Sequence, residues 1–174
     1  MYLERKVDKI LSEWHENPSR KPLIIKGARQ VGKTESIMRF AEASYDNIIY
    51  INFALEKKYC VITEDGYTVE AVNKAISRID PSKKYIEKKT LIFFDELQEF
   101  PEISTALKFF AQDGRFDVIC SQPLRGLFRA KTSHKTITRR LHSTPHYTPL
   151  QQFFIIYVLQ RHHINNYCLP TPVY

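Results

Sequence analysis

Acidic residues are missing from the last third of this 174-residue chain. Residues 122–174 hold seven Lys or Arg, five of the six histidines, five of the nine prolines and no Asp or Glu. At an ordinary acidic content of about 12%, so long a stretch without one is expected roughly once in a thousand. The change near Ser121 is therefore a composition boundary. Residues 1–121 carry 19 basic and 19 acidic residues, so the net charge of +7 belongs to the tail. Cysteine is also sparse: Cys60, Cys120 and Cys168 are odd in number, far apart and without metal-ligand spacing. That excludes a disulfide framework and predicts free thiols in a reducing cytosol. No apolar run reaches the roughly 18 residues that cross a bilayer, and Glu4, Arg5 and Lys6 stand where a signal segment would be apolar. A cytoplasmic protein without a membrane partner is expected. Repeats are absent. A hydrophobic content of 43% with 13% aromatics is enough for a packed core, against wholesale disorder or a fibrous class.

Period and punctuation then divide the first 121 residues. Leu3, Val7, Ile10, Leu11 and Trp14 share a helical face that Asn17-Pro18 ends. A short apolar strand at 22–26 runs into a loop and then a helix bearing Ile37, Met38, Phe40 and Ala41. Strands are expected at 47–53, 90–96 and 116–121. They alternate with one helix through Val69, Val72, Ile76 and Ile79, stopped by Pro81, and another opened by Pro101 and closed by Asp113-Gly114. Such alternation predicts an α/β fold, a parallel sheet with helices on both faces. From Gln122 to Leu150 neither period persists, and the apolar run Phe153–Leu159 reads as an aggregation-prone β segment.

The loop Gly27-Ala28-Arg29-Gln30-Val31-Gly32-Lys33-Thr34 has the G-x-x-x-x-G-K-[ST] pattern between a strand and a helix. Its glycines let successive N–H groups wrap phosphates, Lys33 reaches the β and γ phosphates, and the Thr34 hydroxyl ligates magnesium. The helix that follows adds the positive end of its dipole. Downstream, Leu91-Ile92-Phe93-Phe94 leads to Asp95 and Glu96, two acids at the carboxyl end of a central strand, where α/β sheets bind ligands. Asp95 is placed to hold the magnesium shell and Glu96 to polarise the attacking water. The pair indicates NTP hydrolysis, whereas a phosphate loop without the glutamate suits a kinase or GTPase-like site equally well. Ser121 reads either as a hydroxyl sensing the γ phosphate or as an ordinary strand end. Arg29 and Gln30 read as contacts to phosphate or a neighbouring subunit, or as solvated side chains.

These three segments, Gly27–Thr34, Phe93–Phe100 and Val118–Ser121, with a Leu-Glu-Arg helix ahead of them, resemble the prokaryotic AAA-type P-loop ATPases of unknown cellular role. The resemblance covers residues 1–121. It implies ATP and Mg2+ as ligands, and a P-loop NTPase fold of the additional-strand catalytic-glutamate type with sheet order 5-1-4-3-2. In it Gly27–Thr34 is the Walker A loop, Asp95 and Glu96 are Walker B, Ser121 lies near the sensor position, and the chain assembles as a homo-oligomer. In that family a nuclease-like C-terminal domain usually follows.

Past Ser121 the family pattern stops, together with the acids. A poorly ordered, disordered tail is the expectation for 122–174; a tail read from a shifted frame, or a degraded copy, would account for it and would remove the fifth strand, the lid and any C-terminal effector domain. Two other readings of 122–174 stand beside it. One is a DNA-binding arm using Arg125, Arg129, Lys131, Lys135, Arg139 and Arg140, with Tyr147, Phe153 and Tyr157 for stacking. The other is a metal site from His142, His146, His162, His163 and Cys168, against which Pro145 breaks the helix that would align the first two. For the whole chain the leading expectation is Mg-dependent ATP hydrolysis. The alternative is a nucleotide-gated DNA-binding or interaction module without efficient hydrolysis.

Overall fold

The structure, a computed structural model, describes residues 6–124 and 154–158. In chain order its elements are α1 (Lys6–Glu16), β1 (Leu23–Gly27), α2 (Lys33–Ser44), β2 (Asn47–Asn52), α3 (Val69–Ile79), β3 (Thr90–Asp95), α4 (Ile103–Asp113), β4 (Asp117–Pro123) and β5 (Phe154–Val158). Single 3-10 turns at Lys57–Tyr59 and Leu97–Glu99 follow β2 and β3. All strand pairs are parallel, in the order β2-β3-β4-β1-β5.

Two apolar layers explain the sheet. Parallel strands are buried on both faces, and successive side chains alternate between them. Leu23, Ile25, Leu91, Phe93 and Ile119 meet Val7, Leu11 and Trp14 of α1 and Ile37 and Ala41 of α2. Their neighbours Ile24, Ile92, Phe94, Val118 and Cys120 face the other way, onto Val72 and Ile76 of α3 and Leu107 and Phe110 of α4. The helices thus cover both faces, as the alternation of elements predicts. Thr68 caps α3 by accepting from the Ala71 N–H at 3.2 Å. Gly114 ends α4 at φ 65°, a left-handed position that glycine fills without a Cβ penalty, with its N–H on Phe110 O at 3.1 Å.

Two features lie beyond Ser121. Strand β4 runs on to Pro123, beside Gly27, and the Leu124 N–H closes on Gly27 O at 2.9 Å. Proline is admissible there because it occupies the last rung. Strand β5 pairs with β1 from Leu23↔Phe154 to Gly27↔Val158. The sheet order is therefore the one the family resemblance implies, and the fifth strand expected to be missing is supplied by the apolar run at 154–158. That run is β-forming, as read, and one of its edges pairs with β1. The basic residues 125–140 and the histidines and Cys168 of the tail lie outside the described residues, as does the rest of the tail reading.

Candidate functional site

The sheet register builds the site. On the face that packs against α2, the rows Ile48, Tyr50, Asn52 of β2 and Leu91, Phe93, Asp95 of β3 run in step, with Asn52 opposite Asp95. In β4 the same row ends at Ser121, one position past the Phe94↔Cys120 pair. The face is apolar through Phe93 and Ile119 and turns polar in its final row. That row lies at the carboxyl end of the strands, where the loop after β1 also opens.

The loop residues Gly27 to Thr34 cross from β1 to α2. Gln30 and Gly32 take left-handed conformations, φ 59° and 76°, and Gly32 is the N-cap of α2. The N–H groups and the positive end of the dipole of the first helical turn therefore point into the loop. Lys33 opens the helix, and its Nζ donates to the carbonyls of Gly27 at 3.3 Å and Ala28 at 2.8 Å. Burial lowers its pKa from the usual lysine value, while Glu96 and Asp95 act in the opposite direction. A cation held against its own loop, partly desolvated and facing two acids, is matched to a phosphate chain.

Asp95 is the hub. Its Oδ2 accepts from Thr34 Oγ1 at 3.0 Å, Tyr50 OH at 3.0 Å and Asn52 Nδ2 at 3.2 Å. Its Oδ1 accepts from Ser121 Oγ and from the Glu96 N–H at 3.1 Å. The carboxylate is 2% exposed. Its charge pushes the neighbouring Cys120 thiol upward, second to burial. All five donors are neutral, so they orient the carboxylate without cancelling its charge. The chemistry of the donor set, a hydroxyl and an anionic oxygen from two elements, fits a hard divalent cation such as Mg2+.

Glu96 follows at φ 56° and ψ 50°, left-handed for a residue with a side chain. Its half-buried carboxylate is met by the Gln98 amide, whose Nε2 donates to Oε2. A cleft of about 480 Å³ joins Arg29, Gln30, Lys33 and Thr34 to Asn52, Glu96 and Gln98. The structure thus gathers the loop, Asp95 and Glu96 as the motifs require. Arg29 and Gln30 line the cleft, and Ser121 directs its hydroxyl to Asp95. Ala28 lends a carbonyl to Lys33, while Val31 completes the loop.

Sequence reasoning missed Tyr50, Asn52 and Gln98. The only local signal is that β2, apolar at Ile48, Ile49 and Ile51, ends on an asparagine. Asn52 anchors the bend after the strand, its Oδ1 accepting from the N–H groups of Ala54 at 3.0 Å and Leu55 at 3.1 Å. Its amide is thereby fixed toward Asp95.

A family model described as an AAA domain matches residues 19–152, running beyond Ser121 to the threshold of β5. Among curated proteins none matches. The fold is similar to a solved structure of PCH-2 from C. elegans, with a TM-score of 0.49 at 11% identity, over 89% of this chain and 42% of that one. The chain spans less than half the length of that relative. Among the described residues no helix is long and apolar enough to cross a membrane. With a phosphate loop, a buried acid beside its threonine and a family match over most of its length, the chain belongs to the AAA domain family and carries an AAA-type P-loop ATPase segment.

Proposed function

We propose that the chain binds ATP with Mg2+ in this cleft and hydrolyses the β-γ phosphoanhydride. The observation that carries the reading is the convergence of Thr34 on an Asp95 whose hydrogen-bond donors among the described residues are all neutral, directly ahead of a cleft-facing Glu96. The N–H groups of Gly27 to Thr34 bind the phosphates and Lys33 turns from its carbonyls to the β and γ oxygens. Thr34 and Asp95 would hold the magnesium ion, which supplies charge neutralisation on the β and γ oxygens when bound. Glu96 accepts the proton of the attacking water. Ser121 keeps Asp95 aligned and so ties β4 to the phosphate end of the cleft. Homo-oligomerisation and a cytoplasmic setting belong to the same proposal and rest on the family and on the composition of the chain.

The test is a pair of variants assayed for nucleotide binding and phosphate release. Lys33→Ala is expected to weaken ATP binding by about a hundredfold, the loss of a charge-assisted phosphate contact in a partly desolvated site. Glu96→Gln is expected to bind ATP as the parent does and to release phosphate at least about a hundredfold more slowly. A Lys33→Ala protein that bound and hydrolysed ATP like the parent would overturn the reading. Assays across protein concentrations report self-assembly at the same time.

A further inference from the structure

Gln98 lies two residues past Glu96, in the 3-10 turn that Glu96 caps and that the Glu99 N–H closes on Glu96 O at 2.9 Å. Its amide is oriented unusually. Nε2 donates to Glu96 Oε2, and Oε1 is buried with no hydrogen-bond partner among the described residues. An orphaned buried acceptor costs about 1–3 kcal/mol, so a glutamine held only by packing turns its amide to satisfy that oxygen. Turning it here would set a carbonyl oxygen against the carboxylate. The charge-assisted bond to Glu96 therefore decides the orientation, and the cost is retained. The backbone points the same way, because Glu96 is kept at φ 56° by the turn to which Gln98 belongs, a conformation that persists only where surrounding contacts hold it.

We propose that Gln98 is a positioning residue for Glu96, fixing its carboxylate at the cleft wall with Oε2 occupied and Oε1 left as the oxygen that receives the water proton. The assignment rests on the reading of Glu96 as general base. It makes the turn after β3 part of the hydrolytic apparatus, acting through Glu96 and not through substrate. Gln98 lines the cleft beside Glu96, Asn52 and Leu55, so a change at the turn reaches the phosphate end by one side chain.

The experiment compares the parent with Gln98→Ala, Gln98→Met, Glu96→Ala and the double variant Gln98→Ala/Glu96→Ala, measuring ATP dissociation constants, kcat and thermal unfolding. Both Gln98 variants are expected to lower kcat about tenfold with the dissociation constant unchanged within about twofold, because the contact orients a base and does not bind nucleotide. Met keeps length and bulk without the donor, so it separates the hydrogen bond from packing. On the Glu96→Ala background, removing Gln98 is expected to have no further effect on turnover. The two Tm changes are expected to be non-additive, a readout that needs no activity. Full activity in Gln98→Met, an equal loss on both backgrounds, or additive Tm changes would each overturn the proposal. Loss of activity in Glu96→Ala with full activity in Gln98→Ala defeats this assignment alone. Full activity in Glu96→Ala defeats the general-base reading and this assignment with it.

Discussion

The same sheet holds a buried carboxylate, Asp95, at one end and a half-buried one, Asp117, at the other, and the two are treated differently. At the amino end of β4, Asp117 receives both arms of Arg20, Nε on Oδ1 at 2.8 Å and a terminal nitrogen on Oδ2 at 2.7 Å. The Tyr45 hydroxyl adds a third bond at 2.8 Å and itself meets His15 Nδ1 at 3.0 Å. That cluster joins α1, α2 and β4, and its charge is closed: Asp117 raises the Arg20 pKa above its usual value, and Tyr45, buried beside the carboxylate, is pushed well above the usual phenol. At the carboxyl end of β3, Asp95 has only neutral donors. Burying an anion is costly unless something compensates its charge. Asp117 is compensated by a bidentate arginine, whereas the Lys33 charge faces Asp95 without a hydrogen bond to it among those described, which is the balance the proposed magnesium site calls for. A cleft lies at each end, about 310 Å³ beside Arg20 and Asp117 and about 480 Å³ at the phosphate loop, so the charge balance and not the hollow distinguishes the two.

Neutralising each carboxylate in turn gives the strongest test of that contrast. Asp95→Asn keeps shape and most of its hydrogen bonds but removes the charge. It is expected to lower Mg-dependent phosphate release by about a thousandfold while the Tm stays close to that of the parent. Equal activity in the two proteins would show that Asp95 contributes only structure. Asp117→Asn is expected to behave in the opposite sense. It leaves Arg20, 21% exposed at the side chain, without its counter-charge, for a loss of about 2 kcal/mol in a denaturant melt. Turnover per folded molecule is expected to be unchanged. A large loss of activity in this variant would join the two ends functionally and erase the distinction.

What the sequence discloses follows from how far apart in the chain the cooperating residues stand. The phosphate loop is legible because strand, glycines, Lys33, Thr34 and helix are contiguous, and Asp95-Glu96 because the apolar run before it announces a central strand. The helices through Val7, Leu11 and Trp14 and through Val72 and Ile76 show in their period, while Leu3 of the first reading lies outside the described residues. Asn52 and Tyr50 are different. They sit 43 and 45 residues before Asp95, and only the pairing of β2 with β3 in this register makes them its partners. Ser121 was readable as a polar strand end, but its attachment to Asp95 depends on the β3–β4 register. The run at 154–158 carries an apolar signal without alternation, and nothing local says that its partner is β1. Composition changes at the same place: no acid follows Ser121, while the family match continues to residue 152.

The smallest effect separates the two cations, Lys33 and Arg20, by pH. Arg20 is held protonated by Asp117 and contributes no slope near neutral or moderately alkaline pH. Burial depresses Lys33 below the lysine value of 10.5, so between its folded value and 10.5 the unfolded chain binds the proton more fully than the native one. By linkage the nucleotide-free protein then gains stability as pH rises through that window. Phosphate binding has the reverse sign, because it requires the cation: ATP affinity is expected to fall as pH rises through the same window. Lys33 is only half-buried, so the stability slope is shallow and is read as a difference from Lys33→Met, which lacks the titrating group. Tm measured from neutral to alkaline pH should therefore rise in the parent relative to Lys33→Met, while ATP dissociation constants of the parent increase. Parallel Tm curves would mean that Lys33 does not feel its burial, and affinity independent of pH would mean that its charge is not what meets the phosphates.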